Sequence, residues 1–166
     1  ALGLARIRRV ADEPALVTAS ESSRQAETTT RDLEALREIL IHRMHVLREY
    51  MHKVTLPVLR RECEASGRNA SSLLPKVRQW LTWQPQLLPE SERRHLGELK
   101  DQLPGFDQVL GFRNELKSLW EGAHMSNERL LDEFAQWCRR AEESGNQYLR
   151  DFVAYLRSFR PATAAV

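Results

Sequence analysis

The helical character of this chain is clearest in residues 30–59, which read TRDLEALREILIHRMHVLREYMHKVTLPVL. Apolar side chains recur there at intervals of three and four, from Leu33 to Val54, and this is the spacing of one face of an α-helix. Thr30 is well placed to cap the start of the helix, because a threonine side chain accepts hydrogen bonds from free backbone N–H groups. Pro57 lacks the N–H that a helix interior needs, so we expect a kink or a break there.

Five further segments carry the same apolar spacing, and each ends at or near a proline or glycine: Pro85, Pro104, Gly122, Gly145 and Pro161. No stretch alternates apolar and polar residues for more than a few positions, as a half-buried strand would. The connections between segments are short, which favours antiparallel neighbours. The sequence therefore predicts an all-α fold, an antiparallel bundle of about six helices.

The predicted bundle covers residues 32–160. Residues 1–31 are expected to form an extended arm or linker, because their second half is rich in serine and threonine and has little apolar periodicity. Residues 161–166 are expected to be a disordered tail. No run approaches the roughly 18 consecutive apolar residues of a membrane-spanning helix. The arm nevertheless opens with a short apolar stretch followed by Arg6, Arg8 and Arg9, which is typical of the cytoplasmic exit of a membrane segment, or of a short amphipathic turn folded onto the domain.

The overall charge is nearly balanced. The 166 residues include 25 Lys and Arg against 23 Asp and Glu, for a net charge of +2. This balance argues against a strongly basic nucleic-acid-binding domain. Cys63 and Cys138 cannot form a disulfide framework, and the sequence has no Gly-x-Ser-x-Gly motif and no phosphate-binding glycine loop. We therefore predict no catalytic residue and no cofactor in this chain.

One stripe of the long helix carries three imidazoles and a carboxylate. His42, His45, Glu49 and His52 follow one another at steps of three, four and three, and Glu49 with His52 forms the Glu-x-x-His spacing of di-iron bundles. These four residues are the candidate metal ligands. The alternative is a set of half-buried histidines at the margin of the bundle.

Trp80 and Trp83 are the candidates for a partner surface. Their spacing places both rings on one helix face, with several arginines nearby in the sequence. Packing in the core is the alternative for this pair, because large aromatic side chains dominate helical cores.

Five stretches carry a family resemblance: LGLARIRRVA (2–11), RMHVL (43–47), VTLPVLR (54–60), FRNELKSLW (112–120) and WCRRAEESG (137–145). They resemble the C-terminal extension of bacterial membrane fatty acid desaturases. The resemblance implies a non-catalytic docking or regulatory domain at the cytoplasmic face of the inner membrane. Its partners would be the membrane catalytic domain and anionic lipid, with no nucleic acid. The di-iron centre and its histidine boxes would belong to the catalytic domain alone, since the boxes are absent here.

A second resemblance covers only the later part of the chain. The start of the helix at residues 87–90, the segment around Phe112 and Arg113, and residues 137–145 with Phe152 are also similar to the helical portion of insertion-sequence transposases. Those enzymes cut DNA with an acidic triad on a ribonuclease-H-like fold. This resemblance implies a helical fragment of a DNA-processing protein. A metal-binding helical bundle is the third alternative.

Overall fold

The computed structural model describes residues 15–82, 85–121 and 125–159. These residues form helices and no strand, which confirms the all-α prediction. Their α-helices are α1 (Ala15–Ile41), α2 (Arg43–Tyr50), α3 (Leu56–Ala65), α4 (Ala70–Thr82), α5 (Glu90–Gln102), α6 (Pro104–Glu121), α7 (Asn127–Glu143) and α8 (Gln147–Arg157). A π-helical turn at Met51–Thr55 joins α2 to α3, and a 3₁₀ turn at Pro85–Leu87 precedes α5. None of the described helices is long and apolar enough to cross a membrane.

The first helix begins much earlier than predicted. Helix α1 starts at Ala15, and Thr30 lies inside it, donating a hydrogen bond from Oγ1 to the carbonyl of Ala26 (2.9 Å). The predicted extended arm therefore does not hold for residues 15–31, which are helical, while residues 1–14 and 160–166 lie outside the described part. The described side chains of residues 20–31 are all exposed. Apolar residues recur at helical spacing on the face of a helix that packs against a core. A helical turn that packs against no core lacks this pattern, and the sequence therefore did not predict it.

The chain passes Pro57 without breaking. Pro57 is the second residue of α3, and the π-helical turn lies immediately before it. A proline ring in a regular helix clashes with the carbonyl four residues earlier, and a π-helical turn widens the ladder at that point. Residues 43–65 consequently form one helical rod about 34 Å long, at 1.5 Å per residue.

Two hydrophobic cores lie along this rod. The first joins α1, α2, α6, α7 and α8, and its largest fully buried side chains include Trp137, Tyr50 and Phe152. The second joins α3, α4, α5 and the start of α6, around Leu59 and Phe106. Because the rod and α6 contribute to both cores, they hold the two halves of the bundle together.

Backbone geometry confirms the predicted end of α7 at Gly145 and defines other helix ends. Gly67 after α3 and Gly145 after α7 have positive φ values of 71° and 77°, the left-handed conformation that glycine adopts without strain. Ser126 caps α7 by accepting a hydrogen bond from the N–H of Arg129. Asn146 caps α8 in the same way from a buried position, accepting from the N–H groups of Tyr148 and Leu149.

Candidate nucleic-acid interface

The rod and the helix packed beside it carry a concentration of positive charge. Helix α4 runs back along α3 after the turn at Gly67. Residues 43–82 contain eight basic side chains and only three acidic ones, Glu49, Glu62 and Glu64. All eight basic residues are exposed. We call them the basic surface: Arg43, Arg48, Lys53, Arg60, Arg61, Arg68, Lys76 and Arg78.

Almost none of this charge is neutralised within the protein. Among the described residues, the only ion pair of the basic surface joins Lys53 Nζ to Glu49 Oε2 at 3.5 Å. Arg61 lies over the ring of Tyr148, 5.5 Å from its centroid, and Arg43 donates to the carbonyl of Leu40 (3.4 Å). Neither contact supplies a negative charge. The guanidinium and ammonium groups of this surface are therefore available to an external anion.

The basic residues of the second half of the bundle behave differently. Over the described residues from 85 to 159, six ion pairs join the following partners: Arg93–Glu90, Lys100–Asp107, Lys117–Glu121, Arg129–Glu133, Arg140–Glu115 and Arg157–Glu142. The Arg140–Glu115 pair is 2.7 Å long and joins α7 to α6. Six of the ten basic residues in this half are thus paired with carboxylates, whereas only one of the eight in the basic surface is.

Averaging the charge over the whole chain concealed this surface. Residues 43–82 carry a net charge of +5, whereas the rest of the chain carries −3, so the total is only +2. A count of charges over successive windows of sequence would have revealed the asymmetry. Helix spacing alone predicts the pairs Arg93–Glu90, Lys117–Glu121 and Arg129–Glu133, but not the three pairs that join different helices.

The predicted metal stripe is not assembled into a site. The rings of His42 and His45 lie 5.9 Å and 6.3 Å from the ring of Phe159, and Glu49 pairs with Lys53. His52 is exposed on the rod. Nowhere in the described ranges does the structure gather three His, Cys, Asp or Glu side chains that would hold a metal ion. The four residues of the stripe lie at the margin of the bundle, and two of them, His42 and His45, pack on the ring of Phe159.

Trp80 is a core residue, not part of a partner surface. Only 3% of it is exposed, and its indole N–H donates to Glu92 Oε2 at 2.7 Å. His95 packs edge-on against the same indole, with ring centroids 5.2 Å apart. The Glu-x-x-His spacing at Glu92 and His95 therefore serves to hold this tryptophan. Trp83 lies outside the described residues, as do Arg6, Arg8 and Arg9.

Neither cysteine is set up as a nucleophile. Cys63 and Cys138 are both buried and free. Burial raises the pKa of the Cys63 thiol, and it raises the pKa of Cys138 to about 12. A thiol reacts as its thiolate, so both groups are held in their unreactive form near neutral pH.

Comparison with known proteins adds one match. A sequence model of the transposase family DDE_Tnp_ISL3 matches residues 28–165. The comparison with curated proteins gave no match, and neither did the comparison with solved structures.

The match decides between the two resemblances seen in the sequence. The prediction of a desaturase domain acting in lipid metabolism was wrong, and so was the prediction of a membrane catalytic domain as partner with no nucleic acid. The motifs behind that prediction are helix-packing and capping residues, which unrelated helical proteins share. The transposase match covers most of the chain, including the rod, α4 and every later helix. The chain belongs to the ISL3 family of DDE transposases.

Proposed function

We propose that this helical chain contacts DNA through the basic surface of α2, α3 and α4. The observation that carries the proposal is the set of eight exposed basic residues with a single carboxylate partner. DNA carries one negative charge per about 1.7 Å of its axis, and lysine or arginine side chains that neutralise its phosphates release condensed counterions. A surface whose charges are not already paired loses no internal ion pair when it binds phosphate.

The dimensions of the surface suit a duplex. The rod is about 34 Å long, which equals roughly one turn of B-DNA. Basic side chains occur along its whole length, from Arg43 at the start of α2 to Arg68 just beyond α3. The rod therefore spans about as much of a duplex as one turn contains, with basic side chains at intervals over that length.

The contact is expected to depend little on base sequence. Specific readout of a base uses arginine side chains held in a fixed orientation against the groove. Arg60, Arg68 and Arg78 have no hydrogen bond or ion pair among the described residues that would hold their side chains in this way. Such flexible cations are suited to phosphates, which position a protein on DNA without reading its sequence.

A pair of quadruple variants tests the proposal. The variant R60Q/R68Q/K76Q/R78Q removes four unpaired cations of the basic surface. The control R93Q/R129Q/R140Q/R157Q removes four that are paired with carboxylates. Each variant takes the net charge from +2 to −2, so a general effect of charge is matched between them.

Binding to a 20-base-pair duplex is followed by fluorescence anisotropy between 50 and 200 mM salt. We expect the wild-type chain to lose affinity steeply as salt rises. The first variant should show a smaller slope of log K against log[salt], by up to about 3.6 for four lost phosphate contacts. The control should keep a slope close to that of the wild type. Equal losses in the two variants, or wild-type binding that is insensitive to salt, would refute the proposal.

A further inference from the structure

A small pocket lies between α2, the end of α4 and the middle of α6. Its volume is about 130 Å³. Four apolar side chains line it, Met44, Leu47, Met51 and Leu81, together with the cations Arg48 and Arg113. Arg48 is also one of the eight residues of the basic surface, so the pocket shares a cation with the surface to which DNA binding is assigned above.

Arg113 is the unusual member of the pocket. Its guanidinium is half-buried and donates from Nη2 to the carbonyl of Leu81 at 3.1 Å. Its Nε is buried and has no hydrogen-bond partner. Burial lowers the pKa of Arg113, which shows that the surroundings disfavour its charge. A buried donor without an acceptor costs free energy.

No negative charge inside the described residues compensates the two cations. Neither Arg48 nor Arg113 forms an ion pair there, and the nearby Glu115 is occupied by Arg140. Two arginines lining one pocket without a carboxylate are arranged for an anion, since arginine presents several N–H donors in a planar fork that matches phosphate oxygens.

The size of the pocket limits what that anion is. A volume of about 130 Å³ is several times what a single buried water molecule needs. Pockets for whole small-molecule ligands are larger, about 300–1,000 Å³. The pocket therefore has room for one phosphate group and the edge of its sugar, with the rest of the ligand outside.

We propose that the pocket of Arg48 and Arg113 receives one phosphate of a DNA strand, with the methionine and leucine side chains packing against the adjoining deoxyribose. This proposal rests on the DNA contact proposed above and adds a defined seat for one phosphate at one edge of the basic surface. The half-buried position of Arg113 would fix the register of the strand, since the exposed arginines have no such restriction.

Three single variants and two probes test the pocket. R48Q and R113M each remove one cation of the pocket. R150Q is the matched control, because Arg150 is exposed on α8 and has no ion pair among the described residues. The first probe is the 20-base-pair duplex in a salt titration, and the second is inorganic phosphate in thermal melts at constant ionic strength, with chloride as the reference anion.

We expect R48Q and R113M each to weaken duplex binding about three- to tenfold and to reduce the salt slope by about 0.9, while R150Q changes neither. Phosphate at ten times its dissociation constant should raise the wild-type Tm by roughly 3–5 °C, and this rise should be absent in R48Q and R113M. Should R113M fail to fold, the phosphate melts of R48Q decide the outcome, because Arg48 also belongs to the basic surface and its loss could weaken duplex binding without the pocket.

The possible failures are distinguishable. If phosphate raises the Tm through both arginines but duplex binding is unchanged in R48Q and R113M, the pocket takes free phosphate and its assignment to DNA is overturned. If the duplex binds through Arg60, Arg68 and Arg78 and neither probe responds to R48Q or R113M, the basic surface stands and the pocket proposal falls. If the wild-type chain binds no duplex at all, the proposed function has failed, and the proposed DNA seat fails with it.

Discussion

The buried hydroxyl of Tyr50 allows a quantitative test of the packing between the rod and α6. Tyr50 is fully buried, and its hydroxyl donates to the carbonyl of Val109 at 2.6 Å. Val109 lies inside α6, so its carbonyl also accepts from the helical backbone and is not left without a partner when the hydroxyl is removed. Y50F should therefore cost only about 1 kcal/mol at pH 7, the net value of an ordinary hydrogen bond.

The cost of Y50F should change with pH in a predictable direction. Burial raises the pKa of Tyr50 above its ordinary value of 10.0. A raised pKa in the folded state means that the tyrosine contributes its full stability below pH 10 and loses it as the pH rises further, because the unfolded chain ionises first. At pH 11 this ionisation favours the unfolded wild type by about 1.4 kcal/mol, and Y50F escapes that penalty. The advantage of the wild type at pH 7 should thus disappear at pH 11.

Urea denaturation of the wild type and Y50F gives the difference between their unfolding free energies at pH 7 and again at pH 11. The prediction concerns how that difference changes between the two pH values. The other titrating groups are common to the two proteins and cancel. A difference in unfolding free energy that is the same at both pH values would show that Tyr50 ionises as readily in the folded state. The buried donor described here would then be incorrect. A cost well above 3 kcal/mol at pH 7 would show instead that the substitution disturbs the packing of the ring.

Three further substitutions test individual contacts by thermal or urea denaturation. E92A should lower the free energy of unfolding by about 1–3 kcal/mol, because it leaves the buried indole N–H of Trp80 without an acceptor. The control E90A, on the same turn but exposed, should lower it much less. Similar losses in the two variants would contradict the contact between Trp80 and Glu92. N146A should lower the free energy of unfolding by about 1–2 kcal/mol, because α8 loses its N-terminal cap. Serine also caps helices, so N146S should recover most of that stability. A serine variant as unstable as N146A would contradict the capping role. G145A should lower the free energy of unfolding by about 1–2 kcal/mol, because alanine is strained at a φ of 77°. No atom lies within 4 Å of an added Cβ, so steric contact should contribute nothing further. Unchanged stability would contradict the left-handed conformation of this residue.

Helix α1 differs between its two halves in how far its described side chains are buried. Its described side chains from 20 to 31 are all exposed, whereas Ala35, Leu36 and Ile39 are buried in the first core. The core contacts of α1 are thus made by its second half, among the side chains that the structure describes.

The positions of most helices were determined by local sequence. The apolar stripes, the prolines and the two left-handed glycines set where α3 to α8 begin and end, because helix formation and capping depend on residues within a few positions of one another. The stretch before Thr30 and the passage through Pro57 were not predictable in this way. The stretch before Thr30 packs against no core, so its apolar residues follow no helical spacing. The passage through Pro57 depends on a π-helical turn, and packing by the neighbouring helices keeps the chain helical there.

The functional surface was decided by tertiary structure. The sequence lists 25 basic and 23 acidic residues, which are nearly balanced. Helix spacing accounts for three of the six ion pairs of the second half, and only the fold brings together the other three, Lys100–Asp107, Arg140–Glu115 and Arg157–Glu142. The fold also leaves seven of the eight cations of the basic surface without a carboxylate. The fold likewise buries Trp80 and brings Arg113 beside Arg48, 65 positions earlier in the chain. Coulombic pairing and burial depend on distances in space, and an amino-acid sequence specifies those distances only through the packing of its helices.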